Sequence, residues 1–223
     1  MENVTTRNWF PGCGHALGLV IACFLVFCFA TNVAVAQPSK AQAPNMERKE
    51  VITLGAGCFW CVEAVFESIN GVLTAESGYM GGHIKNPAYR EVCTGRTGHA
   101  EVVQVSFNPE IVSLETLLNV FFATHDPTTL NRQGADAGTQ YRSAIFWHQA
   151  DQLEVAKTTL ASCQQNIDKT IVTEITEASA FYAAEDYHQA YFELNGEAPY
   201  CKAVIQPKMS KFRKEFQSIL KFD

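Results

Sequence analysis

The chain has 223 residues, enough for one domain with a full hydrophobic core and no disulfide staples. Its formal net charge is −6 and it holds no basic run, which argues against a nucleic-acid surface. Proteins and small molecules are the expected partners.

Residues 16–30 (ALGLVIACFLVFCFA) form an unbroken apolar run with Arg7 upstream. Ala34, Val35 and Ala36 then offer a small-residue cleavage site before Gln37. Residues 1–36 therefore read as a secretory signal peptide, with export to the periplasm or beyond. The run is short for a membrane span, which needs about 20 residues. An uncleaved anchor is the competing reading. VIAC at residues 20–23 resembles a lipoprotein acylation box, but more apolar sequence follows Cys23. Residues 37–48, rich in Pro, Ala and Gln, read as a disordered leader, and residues 49–223 as a single domain.

Three of the eight cysteines, Cys13, Cys23 and Cys28, fall in the signal. Cys58, Cys61, Cys93, Cys163 and Cys201 remain. An odd count in an exported chain points to free or cycling thiols. An oxidising compartment would link a reactive pair, so such a pair needs a supply of electrons.

Residues 51–54 predict a short apolar strand, and Gly55, Ala56 and Gly57 a tight turn. Val62, Val65, Phe66 and Ile69 recur at helical spacing, which places Cys58 in the first turn of a helix. Free N–H groups and the positive end of the helix dipole favour a thiolate there. Cys61 lies one turn on, and Phe59 and Trp60 between them suggest a floor for a small apolar group. Residues 72–79 predict a strand, followed by a glycine-rich turn at 78–82 and an ordered loop at 83–97. Residues 99–107 predict a strand with Glu101 on the face of Val103, Val105 and Phe107. Ser113 can cap a helix with the stripe Leu114, Leu117, Leu118, Phe121 and Phe122.

A long polar loop spans 126–142 and precedes a strand at 143–147. Leu153, Ala156, Leu160 and Cys163 mark the next helix; Ile171, Thr173 and Ile175 alternate as a strand. Met209, Phe212, Phe216 and Ile219 mark a C-terminal helix. The order reads as an α+β fold: a two-layer sandwich of a mixed sheet with packed helices and long irregular loops, on a ferredoxin-like core.

Glu101 has two readings. Buried with its strand face, it stays protonated and can donate a proton; at the sheet edge, it is merely solvated. Asp136 sits in a loop long enough to be functional, though an aspartate between glycines also serves simply to form a turn. Tyr89 and Tyr141 lie in loops, as lids or as hydrogen-bond donors. Cys163 reads as core and Cys93 as a buried, inert thiol. Cys201 is either a mobile second thiol or a structural one. His125, His148 and His188 lack zinc-ligand spacing.

GCFWC at 57–61, GYMGGHIKNPAYREVCTGRTGHAEVVQVSF at 78–107, HDPTTLNRQGADAGTQYRSAIF at 125–146 and AEDYHQAYF at 184–192 together resemble the A-type peptide methionine sulfoxide reductases. The resemblance implies Cys58 as nucleophile and Glu101 as the acid. It implies Tyr89 and Tyr141 as ligands of the sulfoxide oxygen, Asp136 as the loop aspartate, and Phe59 and Trp60 as the methyl-binding aromatics. It implies reduction of the S epimer of methionine sulfoxide in proteins, and of the free amino acid, through a Cys58 sulfenic acid and an intramolecular disulfide. Many relatives carry glycine where this chain has Cys61, so Cys61 can resolve locally, with Cys201 as the alternative resolving thiol. Expected partners are oxidised proteins or peptides and a thioredoxin-like reductant, with no cofactor or metal, acting on a monomer. A thioredoxin-like disulfide oxidoreductase is the rival enzyme, and a metal-binding module built on Cys58 and Cys61 the rival of another class.

Overall fold

The computed structural model describes residues 48–221. The expected signal peptide, its cleavage site after Ala36 and nearly all of the leader lie outside the described residues.

Strand β1 (Glu50–Ala56) leads into helix α1 (Phe59–Glu67), then strand β2 (Val72–Met80), the short helix α2 (Tyr89–Val92) and strand β3 (Ala100–Phe107). Helix α3 (Leu114–Thr124) follows, then the two-residue strands β4 (Arg132–Gln133) and β5 (Asp136–Ala137), and strand β6 (Ser143–Trp147). Helix α4 (Ala150–Gln164), strands β7 (Glu174–Glu177) and β8 (Tyr182–Ala183), and helices α5 (Tyr191–Leu194) and α6 (Gln206–Glu215) complete the chain. The main sheet runs β7-β6-β1-β3-β2-β8. Only β6 and β7 pair in parallel, so the sheet is mixed. Within it, β1-α1-β2-β3-α3-β6 with strand order β6-β1-β3-β2 is the ferredoxin-like arrangement expected.

The main core lies on one face of the sheet. Val103, Val105 and Phe107 of β3 share it with Val65 and Phe66 of α1, Leu117 and Phe121 of α3, and Phe212 of α6. The other face is covered too. Ala100 and Val102 join Met80, Ala144 and Phe146 in a second cluster under Ala178 and Phe181. β3 is therefore buried along almost its whole length, its polar Glu101 and Ser106 included. Ser113 caps α3, its Oγ accepting the Thr116 N–H at 3.1 Å.

Some boundaries move for identifiable reasons. The glycine-rich turn begins at Gly81, because Gly78, Tyr79 and Met80 still pair with β3. Strand β7 starts at Glu174 and not at Ile171. Ile171 N–H donates to the Gln164 side chain and Val172 N–H to the Pro127 carbonyl, both at 2.8 Å, so neither is free for the ladder. The loop at 126–142 folds back on itself as the β4–β5 hairpin and a 3₁₀ turn at Thr139–Tyr141.

Candidate active site

The site forms where β1 turns into α1. Gly57 has φ +88°, and a Cβ there would lie 2.6 Å from the Cβ of Gln133. Only glycine fits that turn. Cys58 is the N-cap of α1, extended at ψ 122°, and so precedes the first helical turn expected to contain it. Its carbonyl accepts the Cys61 N–H at 3.1 Å, which sets both cysteines on one side of the helix start. Cys58 is half-buried and Cys61 buried, and both are free thiols.

The helix start is only part of the setting of Cys58, because its thiol is paired with that of Cys61. Its hydrogen bond to Cys61, its burial and the nearby charges of Cys61 and Glu101 push the Cys58 thiol well up. The same S–H contact brings Cys61 down to about 7, helped by Lys208 and Tyr200. The pair thus loses its first proton near neutrality, with the remaining proton held between the two sulfurs. Transfer of that proton to Cys61 exposes a Cys58 thiolate.

Glu101 is 2% exposed, which decides for the buried reading. Its Oε2 accepts the Phe59 N–H at 3.1 Å, one of the free donors of the α1 start. Burial, aided by Asp136 and Cys61, raises its carboxyl to about 8 against that hydrogen bond. Its charge in turn acts on Tyr89, Tyr141 and Cys58. Burial drives both phenols well above the usual tyrosine range, so both are O–H donors at any working pH.

The aromatics build a wall. Phe59 stacks near Tyr89, with ring centroids 6.5 Å apart. Trp60 lies flat on Tyr191 at 3.6 Å, and its indole N–H donates to His188 Nδ1 at 3.2 Å. The Ala184–Phe192 stretch holds this wall in place. Glu185 accepts the Tyr89 N–H and the Tyr79 hydroxyl, each at 2.9 Å. Against the cost of burial, those bonds hold its carboxyl below the usual range. Gln189 clamps the backbone of Ser77 from both sides. The buried Glu63 accepts the N–H of Ala190 at 2.8 Å and so holds that residue at φ +49°, a left-handed conformation uncommon outside glycine.

Asp136, on β5, accepts the Tyr200 hydroxyl at 3.0 Å. Tyr200, His188, Glu185 and Tyr191 are site residues that periodicity does not reveal. Cys201 is fully buried and lies near enough to Cys61 to feel its charge. Cys93, expected to be buried, is exposed, and shares a hydrogen bond with the Tyr89 hydroxyl. Cys163 is half-buried against the core. Among the described residues no group of three or more His, Cys, Asp or Glu is placed to hold a metal ion.

The family model for peptide methionine sulfoxide reductase matches residues 50–220. The chain belongs to the peptide methionine sulfoxide reductase family. It is 49% identical over 172 residues to the peptide methionine sulfoxide reductase MsrA of Saccharolobus solfataricus, covering 77% of this chain and 97% of that one. Reduced Mxr1 from Saccharomyces cerevisiae has a similar fold, with a TM-score of 0.65 and 36% identity over 70% of this chain and 91% of that one. Methionine sulfoxide reductase A of Corynebacterium diphtheriae matches with a TM-score of 0.62 and 36% identity, over 71% and 78% of the two chains. The family that the motifs resemble is thus the family the whole domain matches. Its α+β architecture is shared with both solved structures.

Proposed function

We propose that this reductase restores the S epimer of methionine sulfoxide to methionine, in proteins and as the free amino acid, and so repairs oxidised proteins. One observation carries the reading: a buried, protonated Glu101 bonded to the helix start that presents Cys58. A general disulfide exchanger needs the thiol pair but not that acid, nor Tyr89 and Tyr141 beside it.

A sulfoxide sulfur is electrophilic once the charge on its oxygen is neutralised. Tyr89 and Tyr141 donate hydrogen bonds to that oxygen, and Glu101 supplies the proton. Phe59 and Trp60 hold the methyl group, and Asp136 stands in the loop beside them. The Cys58 thiolate attacks the sulfur, the oxygen passes to Cys58 with the proton from Glu101, and methionine leaves. Cys58 is then a sulfenic acid. Cys61 condenses with it to a disulfide and water. A thioredoxin-like dithiol reduces that disulfide by exchange.

The direct test is a reaction without reductant. Each enzyme should convert one methionine sulfoxide residue of a peptide to methionine and lose two free thiols. Thiol loss without methionine would contradict the reading.

The sequence of residues 1–36 supports export, with cleavage after Ala36. Intact mass of the natively exported protein should start at Gln37. A mass retaining residues 16–30 would mean an anchor, and a lipid on Cys23 a lipoprotein.

A further inference from the structure

Tyr200 takes no part in the chemistry above, yet it stands against the reacting atoms. Its hydroxyl donates to Asp136 Oδ2 at 3.0 Å. Its ring meets Trp60 edge-on at 5.8 Å, which fixes the phenol over the start of α1. Trp60 lies between Cys58 and Cys61, and Cys58 and Tyr200 pack against the same core, so the hydroxyl stands close enough to act on both thiols. On the reductase reading, Glu101 spends its proton in forming the sulfenic acid, so the oxygen that leaves in the next step needs another donor. Once Cys58 is oxidised, its S–H no longer supports a Cys61 thiolate, so Cys61 enters the second step as a thiol that must lose a proton. A hydroxyl can accept one proton while donating another.

Resting on the sulfoxide reductase reading, we propose that Tyr200 is the proton shuttle of the resolving step, held in place by Asp136 and Trp60. Cys61 Sγ attacks Cys58 Sγ. The S–S bond forms as the Cys58 S–O bond breaks. The Tyr200 oxygen takes the Cys61 proton and passes its own to the departing oxygen, which leaves as water. Cys61 sulfur is oxidised and Cys58 sulfur reduced, so protons and electrons balance without an outside reagent.

The test is rapid-quench single turnover of the full enzyme with a methionine sulfoxide peptide, following methionine and the Cys58–Cys61 disulfide separately. Tyr200→Phe keeps the ring and removes the shuttle. Disulfide formation should slow about 100-fold or more relative to methionine formation, within the range typical of acid–base help. Sulfenic acid should become trappable with dimedone. In the parent the disulfide step should be flat between about pH 6 and 8, because its proton is internal. In Tyr200→Phe it should be rescued by added imidazole, a small general acid–base that can carry the proton from Cys61 to the departing oxygen, whereas the parent step should not respond. An unslowed disulfide step overturns the proposal, and so does a slowed step that imidazole does not rescue, which would mark a purely structural contact. If Tyr200→Phe fails to fold, 3-fluorotyrosine at this position keeps the shape and shifts the phenol acidity. The disulfide rate should then change, and an unchanged rate overturns the shuttle. Absence of methionine release from the parent would instead overturn the reductase reading on which the proposal rests.

Discussion

Glu101 Oε2 accepts the backbone N–H of Phe59 at 3.1 Å, joining β3, one of the two central strands of the sheet, to the residue after Cys58. One bond thus fixes the distance between acid and nucleophile. It also uses a donor that would otherwise stabilise a thiolate at the helix start. The site trades some of that stabilisation for a positioned acid, and relies on the Cys58–Cys61 pair for its first ionisation near neutrality.

Glu101→Gln should keep the hydrogen bond from Phe59 and lose the proton. The first-turnover rate should drop by about 100- to 10,000-fold in a folded protein. Quenched-flow release of methionine measures it; an unchanged rate would place the acid elsewhere.

The pH dependence follows from the same groups. The thiol pair must lose a proton, at about 7, so the first-turnover rate rises through that value. Glu101 must keep its proton, so the rate falls above about 8. The profile should be a narrow bell, and Glu101→Gln should remove its alkaline limb. Stopped-flow rates over this range check both limbs.

Burying the acid also costs stability in a predictable window. The folded carboxyl titrates at about 8 against its usual 4.5, so the folded state binds the proton more tightly. That contribution is complete below the unfolded value and is lost as pH rises through the folded one, at about 1.4 kcal/mol per pH unit. Glu101→Gln should therefore melt above the parent at pH 8, with the gap closing towards pH 4. A gap independent of pH in thermal melts would contradict an uncharged Glu101 in the fold.

Cys61→Ser should release its first methionine at nearly the parent rate and then stall with thioredoxin as reductant. Peptide mapping after one parent turnover should show a Cys58–Cys61 link. A dominant Cys58–Cys201 link, with Cys61→Ser still recycling, would make Cys201 the resolving thiol.

Much of this was legible in the sequence where one short stretch decides its own structure. The strand at Ser143–Trp147 and the Ser113 cap were found where expected. The strand alternation also put Glu101 on the core face. The two-residue strands β4, β5 and β8 are too short to carry a period. Glu185, His188 and Tyr200 escape because their roles arise from contacts between distant segments: Trp60 meets His188 across 128 positions and Asp136 meets Tyr200 across 64. The coupling of Cys58 to Cys61 is not legible, because it depends on how close the two sulfurs stand and not on the helix start alone.

The central claim is stereospecific sulfoxide reduction by the Glu101–Cys58 site. The most direct measurement is turnover of a peptide carrying either the S or the R epimer of methionine sulfoxide, with dithiothreitol as reductant. The account predicts reduction of the S epimer and none of the R epimer; turnover of disulfides with neither epimer reduced would contradict it.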